Sequence, residues 1–300
     1  MMAGKSIARM LLLLLILPVG FAGVWRLQRK VNVERDALYQ EQDEVLVRSP
    51  KLMKLLTMEY STLAADIYWT RAVQYYGSKH LGQETNLESL WPLLDVATTL
   101  DANLLPAYRF GALFLSEPEP RGAGRPDLAV QLLERGLKAN PDYWRLDQDL
   151  GNVYYLELKD YTKAGEAYLE GSKKPGAQPW MKIMAARFLE KGNSRETATI
   201  LWTELFNSSN DAAIKENARV NLELLRADED IEHLNALAEE FAAKAGRPPK
   251  NIGELIQSGL LAGVPGDPVG HAYVIGPDGK AAISAKSSLF KEKSVYQRPL

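Results

Sequence analysis

Small and large apolar residues recur at helical spacing through the middle of the chain. Ala129, Leu133 and Gly136 stand +4 and +3 apart, Ala164, Tyr168 and Gly171 repeat that spacing 35 residues later, and Ala198, Trp202 and Leu205 repeat it after another 34. Upstream of each triplet a small residue is followed three later by a large one: Gly111 with Phe114, Gly151 with Tyr154, Ala186 with Leu189. Residues three or four apart share a helix face, so the pattern predicts helix pairs stacked about every 34 residues. The small residue lets the helices of a pair approach closely, and the large one fills the gap to the next pair. A fainter first unit runs from Ala72 and Tyr75 to Leu90, Leu94 and Ala97, and the Pro- and Gly-rich stretch Glu117–Pro126 reads as a loop inside the second.

Outside this region the pattern changes three times. Met10 to Trp25 is an uncharged run of 16 residues behind Lys5 and Arg9. As a helix it would span about 24 Å against a hydrocarbon core of about 30 Å, so a membrane anchor requires Arg9 and Arg26 to snorkel. Gly20 and Ala22 also suit a signal-peptidase cut before Gly23, which leaves an uncleaved anchor and a removed signal peptide as competing readings. After a polar stretch, Lys51 to Lys79 reads as one long helix with Leu52, Leu55, Leu56, Leu63, Ile67 and Tyr68 on its apolar side. Beyond the repeats, Asp211–Arg226 and Glu229–Ala245 read as two more helices. A short helix Ile252–Gln257, a Gly259 cap and two strands, Ala272–Ile275 and Lys280–Ser284, follow around Pro277-Asp278-Gly279.

The repeated residues resemble the tetratricopeptide repeat family, whose 34-residue helix–turn–helix unit carries small residues at the contact between its two helices. The likeness covers roughly Tyr60 to Asn210 and is clearest in DLGNVYYLELKDYTKAGEAYLEG. It implies an all-α fold, an α-α superhelix, and the segments on either side add the expectation of an amino-terminal transmembrane helix before it and a small helix and β-hairpin cap after it. The corresponding divisions are 1–30 anchor, 31–58 stalk and start of the first helix, 59–210 repeats, 211–246 an added helix pair and 247–300 tail. In that family the first helix of each pair lines a concave groove. By register the groove positions here are Trp69, Tyr76, Tyr108, Arg145, Gln148, Asn152, Tyr155 and Arg187. Amides that can bond a backbone, with Arg forks for carboxylates, suit a protein or peptide partner. The competing reading of each aromatic is packing between repeats, and of Arg145 and Arg187 is solvation or pairing with neighbours such as Asp147, Asp149 or Glu190.

Composition narrows the chemistry. Lys and Arg number 36 against 38 Asp and Glu, for a net charge of −2, which supplies no basic stripe for nucleic acid. With no cysteine there is no disulfide, thiol nucleophile or thiolate metal site. His80, His233 and His271 are scattered without ligand spacing, and no phosphate-binding loop, dinucleotide fingerprint or nucleophile elbow occurs. The expectation is a non-enzymatic chain needing neither cofactor nor metal.

Pro249, Leu255, Gly259, Leu261, Pro265, Asp267, Pro268, Gly270 and Tyr273 give the tail a likeness to the soluble part of major-type type II secretion pseudopilins. That implies either a docking module or a common way of capping a helix with a hairpin. The amino terminus lacks the pilin processing pattern. Together these features lead to the expectation of a bacterial envelope scaffold or adaptor, single-pass in the inner membrane through residues 10–25 with its folded part in the periplasm. The alternative is a signal-cleaved, soluble periplasmic protein that binds a peptide or glycan.

Overall fold

The computed structural model describes residues 20–30, 49–82 and 86–296, and it is helical over most of that length. Most of the Met10–Trp25 run and the polar stretch that follows lie outside the described residues. Residues 20–30 are helical and exposed. Among the described residues no helix is long and apolar enough to cross a membrane.

The chain divides into two units, Met1–Ala107 and Tyr108–Leu300. The first contains α1 (Pro50–Thr57), α2 (Ser61–Gly82) and α3 (Leu90–Leu100). The single helix expected over Lys51–Lys79 is broken: Met58 takes φ 46°, and Met58–Tyr60 form a 3-10 turn between α1 and α2. Most of the expected apolar side faces outward. Only Tyr68 of its six residues is buried, beside Ala65, Val96, Ala97 and Leu100, because α2 turns its small face to α3.

From Leu105 onward helices follow one another in pairs: α4 (Leu105–Ser116) with α5 (Pro126–Ala139), α6 (Arg145–Leu156) with α7 (Tyr161–Ser172), and α8 (Trp180–Lys191) with α9 (Arg195–Ser208). From α5 to α9 each helix packs on the next, and α9 packs on the long α10 (Ala212–Ala245). The triplets are at the centre of this packing. All nine of their residues are buried. A Cβ on Gly151 would stand 2.5 Å from Cδ2 of Tyr168, and one on Gly171 would stand 2.6 Å from Cε of Met181 and 2.8 Å from Cβ of Asp147. A Cβ on Gly136 would meet Tyr108 at 2.9 Å and Leu146 at 3.3 Å. Gly151 thus receives the large residue of its own pair, while Gly136 and Gly171 admit both their own pair and the first helix of the next. The ring of Tyr168 continues to Phe188, 5.3 Å between centroids, and to Trp180 at 6.1 Å. The large residue therefore joins one pair to the next.

The loop after α4 is tied down by its own backbone: Ala123 N donates to Phe114 O, Gly124 N to Glu117 O and Arg125 N to Leu115 O. Two helices were expected over Asp211–Ala245, and the structure has one of 34 residues. Asp211 caps its start by accepting from the Ala213 and Ile214 amides, and Gly246 ends it at φ 71°. The tail then folds back on α10. The helix α11 (Ile252–Gln257) is capped by Asn251, and the strands shrink to β1 (Val274–Ile275) and β2 (Ala281–Ala282), antiparallel with Val274 opposite Ala282. A further helix, α12 (Ser288–Tyr296), has no counterpart in the sequence reading. Three polar contacts fasten the tail: Tyr273 Oη donates to Asp230 Oδ2 (2.8 Å), Ala281 N to Asn235 Oδ1 (2.8 Å) and Lys293 Nζ to Asp228 Oδ1 (2.6 Å).

If these glycine contacts set the pair spacing, Gly151→Ala should cost about 1–3 kcal/mol through overpacking. Gly77→Ala, on α2 with nothing within 4 Å of a new Cβ, should instead gain roughly 0.5–1 kcal/mol. Urea denaturation followed by circular dichroism distinguishes them. Equal behaviour of the two variants would remove the steric account.

Candidate functional site

The positions expected to line a groove separate into those that packing consumes and those that keep a surface. On α6 the spacing of Arg145, Gln148, Asn152 and Tyr155, +3, +4 and +3, sets them along one side of the helix. Arg145, at the amino-terminal end of this row, is exposed, with its guanidinium over the Trp144 ring, 4.6 Å from the centroid. Gln148 is half-buried. Asn152 Oδ1 accepts from Tyr168 Oη at 2.7 Å, so half of its amide is committed to holding α7 on α6. Tyr155 packs on Phe188 (4.7 Å) and Tyr161 (5.9 Å), with Lys191 Nζ 4.5 Å from the Tyr161 ring centroid.

Tyr108 is a correction. It has no exposed surface, because its ring fills the space against Gly136, and so it belongs to the core and lines no groove. Arg187 on α8 is half-buried, and its charge is among those that pull on the Glu190 carboxyl. In the first unit Trp69 packs on the cluster around Tyr68, and Tyr76 stacks on His80 at 5.6 Å.

Beside the row lie two ion pairs in which Asp147 and Asp149, read from the sequence as neighbours for Arg145 or Arg187, are taken up by other cations. Arg109 on α4 donates through Nε and Nη2 to Asp149 on α6 at 2.6 and 3.2 Å. Lys174 Nζ meets Asp147 Oδ2 at 2.5 Å, with both side chains largely withdrawn from water. Burial raises the pKa of Asp147 and Asp149 above the ordinary carboxylate value despite these cations, since desolvation outweighs the attraction. Burial likewise raises Glu190, against the pull of the Trp202 indole, Arg187 and Arg195. The Tyr168 hydroxyl is pushed up to about 12, first by burial and then by Asp149. These pairs join residues 40 and 27 apart in sequence, with Asp147 buried and Asp149 half-buried.

No protein-family model matches this chain, and no curated protein and no solved structure matches it either. The site is therefore defined by its own geometry. Among the described residues no group of three or more His, Asp or Glu side chains is placed to hold a metal ion. What the row offers is a shallow polar edge with one oriented guanidinium, a surface suited to an extended ligand bearing a carboxylate or backbone carbonyls.

The raised carboxylates carry a sign that can be checked. A carboxyl whose pKa is higher folded than unfolded binds more protons in the folded state, so its contribution to stability falls as pH rises through the folded value. Glu190→Gln removes that slope. The variant's stability relative to the parent should therefore be more favourable at pH 8 than at pH 5, measured by urea denaturation at each pH. An identical difference at both would show that folding does not raise the Glu190 pKa.

Proposed function

We propose that this protein is a membrane-anchored scaffold of tetratricopeptide-repeat type that holds another protein, by an extended segment, along the α6 side of its helical repeats. The observation that carries this reading is the use made of the repeated small residues. Gly136, Gly151 and Gly171 each admit a neighbouring helix at a distance no side chain would allow, at the positions where that family places its small residues. Arg145 and Gln148 then supply the polar contacts and Tyr155 the aromatic edge. No residue in the reading acts as nucleophile or base.

Its place is the bacterial inner membrane, held by residues 10–25 with the folded part in the periplasm, in an assembly such as a secretion or pilus apparatus. The tail supports that last step less than its sequence suggests. Leu255 and Tyr273 are buried against α10, Gly259 and Gly270 take φ 74° and 89°, and Asp267 Oδ1 accepts from the Val269 and His271 amides. These residues of the pseudopilin likeness thus pack the tail or shape its turns, which leaves the repeats as the better candidate for partner binding.

Photo-crosslinking in the native host, from a benzoylphenylalanine at Gln148 and at Arg145, tests the reading. A discrete crosslink to a membrane-complex component, with the protein retained on membranes after alkaline carbonate, is expected. Release in soluble form with a mass beginning near Gly23, and no protein crosslink, would replace it with the free periplasmic binder.

A further inference from the structure

The helix α1 presents leucine to the outside. Pro50, Met53 and Thr57 are its half-buried positions, and Met53 packs on the cluster formed with α3. At about 100° per residue, Leu55 points away from that side, with Leu52 and Leu56 on one flank and Lys51 and Lys54 on the other. Leu52, Leu55 and Leu56 are 45, 73 and 61 % exposed, and Met58 at the helix end is 79 % exposed. A soluble protein seldom leaves so many large apolar side chains together on two turns.

Charge indicates what covers them. From Pro50 to Met58 the charged residues are Lys51 and Lys54, with no acid before Glu59. The same composition appears at residues 20–30. There Phe21, Val24, Trp25 and Leu27 are exposed, the charges are Arg26, Arg29 and Lys30, and Arg29 sits 5.4 Å from the Trp25 ring centroid. Two acid-free, cationic, leucine- or tryptophan-bearing helices contrast with a chain whose charges otherwise nearly balance. Exposed apolar residues flanked by Lys and Arg are the composition of helices that lie in a bilayer interface. Covalent reach agrees: residues 31–48 span at most about 65 Å, so a membrane-held amino terminus keeps α1 within range of the same surface. Tethering of that kind lets a contact too weak to act alone become occupied.

We propose that α1 lies flat on an anionic phospholipid bilayer, with Leu52, Leu55 and Leu56 in the acyl boundary and Lys51 and Lys54 at lipid phosphates, holding the first unit against the membrane. The inference rests on the amino-terminal anchor of the preceding reading, and the two are separable. Because the chain has no cysteine, single variants Leu55→Cys and Thr197→Cys of the full chain can be spin-labelled cleanly in vesicles of phosphatidylcholine with phosphatidylglycerol. Flotation reports the anchor. Collision with oxygen against a nickel chelate reports α1: the oxygen-to-nickel ratio should be several-fold higher at 55 than at 197, an exposed position on α9. Adding Lys51→Glu and Lys54→Glu should return position 55 to the ratio of 197 while flotation persists. A chain that floats with position 55 as aqueous as 197, or with 55 shielded from both reagents as under a protein partner, overturns the proposal and leaves the anchor standing. A chain that does not float overturns both.

Discussion

The second unit depends on close approach at glycine. A helix pair with side chains at every contact would hold its axes too far apart for the next pair to engage both members. At Gly171 the absence of a Cβ admits Asp147 from the same pair and Met181 from the next, and at Gly136 it admits Tyr108 and Leu146. The same opening that brings α6 onto α7 brings α8 onto α7. Stacking and pairing are therefore one constraint, and Tyr168, against Gly151 on one side and Phe188 on the other, is the side chain that transmits it. Where the series ends, the third position is Leu205, and the neighbour is no longer a short helix but the 34-residue α10.

This dependence explains which parts of the fold could be read in advance. Small-large-small spacing is local, so the helices carrying it, and the loops between them, were legible from Ala129 to Leu205. Two features were not. Met58 breaks the run far from its one glycine, Gly77, and nothing near it in sequence requires a positive φ. The polar stretch at Asp228–Asp230 interrupts an apolar pattern and invites a break, yet α10 runs through it because Lys293 and Tyr273 arrive from 65 and 43 residues away to take up Asp228 and Asp230. A charged patch that looks like a helix end was a docking point for a tail whose last helix left no strong signal of its own.

The groove residues fared differently for the same reason. Tyr108 shares the register of Gln148, since Gly111 and Gly151 are equivalent, but the first lies in the core and the second at the edge. Register fixes the side of the helix. Whether a ring at that position is swallowed depends on the space opposite, and Gly136 provides that space. The ion pairs Arg109–Asp149 and Asp147–Lys174 were invisible because each joins helices whose adjacency is a result of stacking.

Packing therefore restricts where recognition can occur. The Asn152 carbonyl is spent on Tyr168, the Tyr155 ring on Phe188 and Tyr161, and Asp149 on Arg109. What remains on α6 for a ligand lies toward its amino-terminal end, at Arg145 and Gln148. The Trp144 ring beneath Arg145 limits the conformations of that guanidinium, so less side-chain freedom would be lost in the proposed contact with a carboxylate. Trp144 is in turn buried and touches Trp180 of the following pair at 6.1 Å between ring centroids. The orientation of the one exposed arginine in the row thus depends on the same stacking of pairs that the glycines permit.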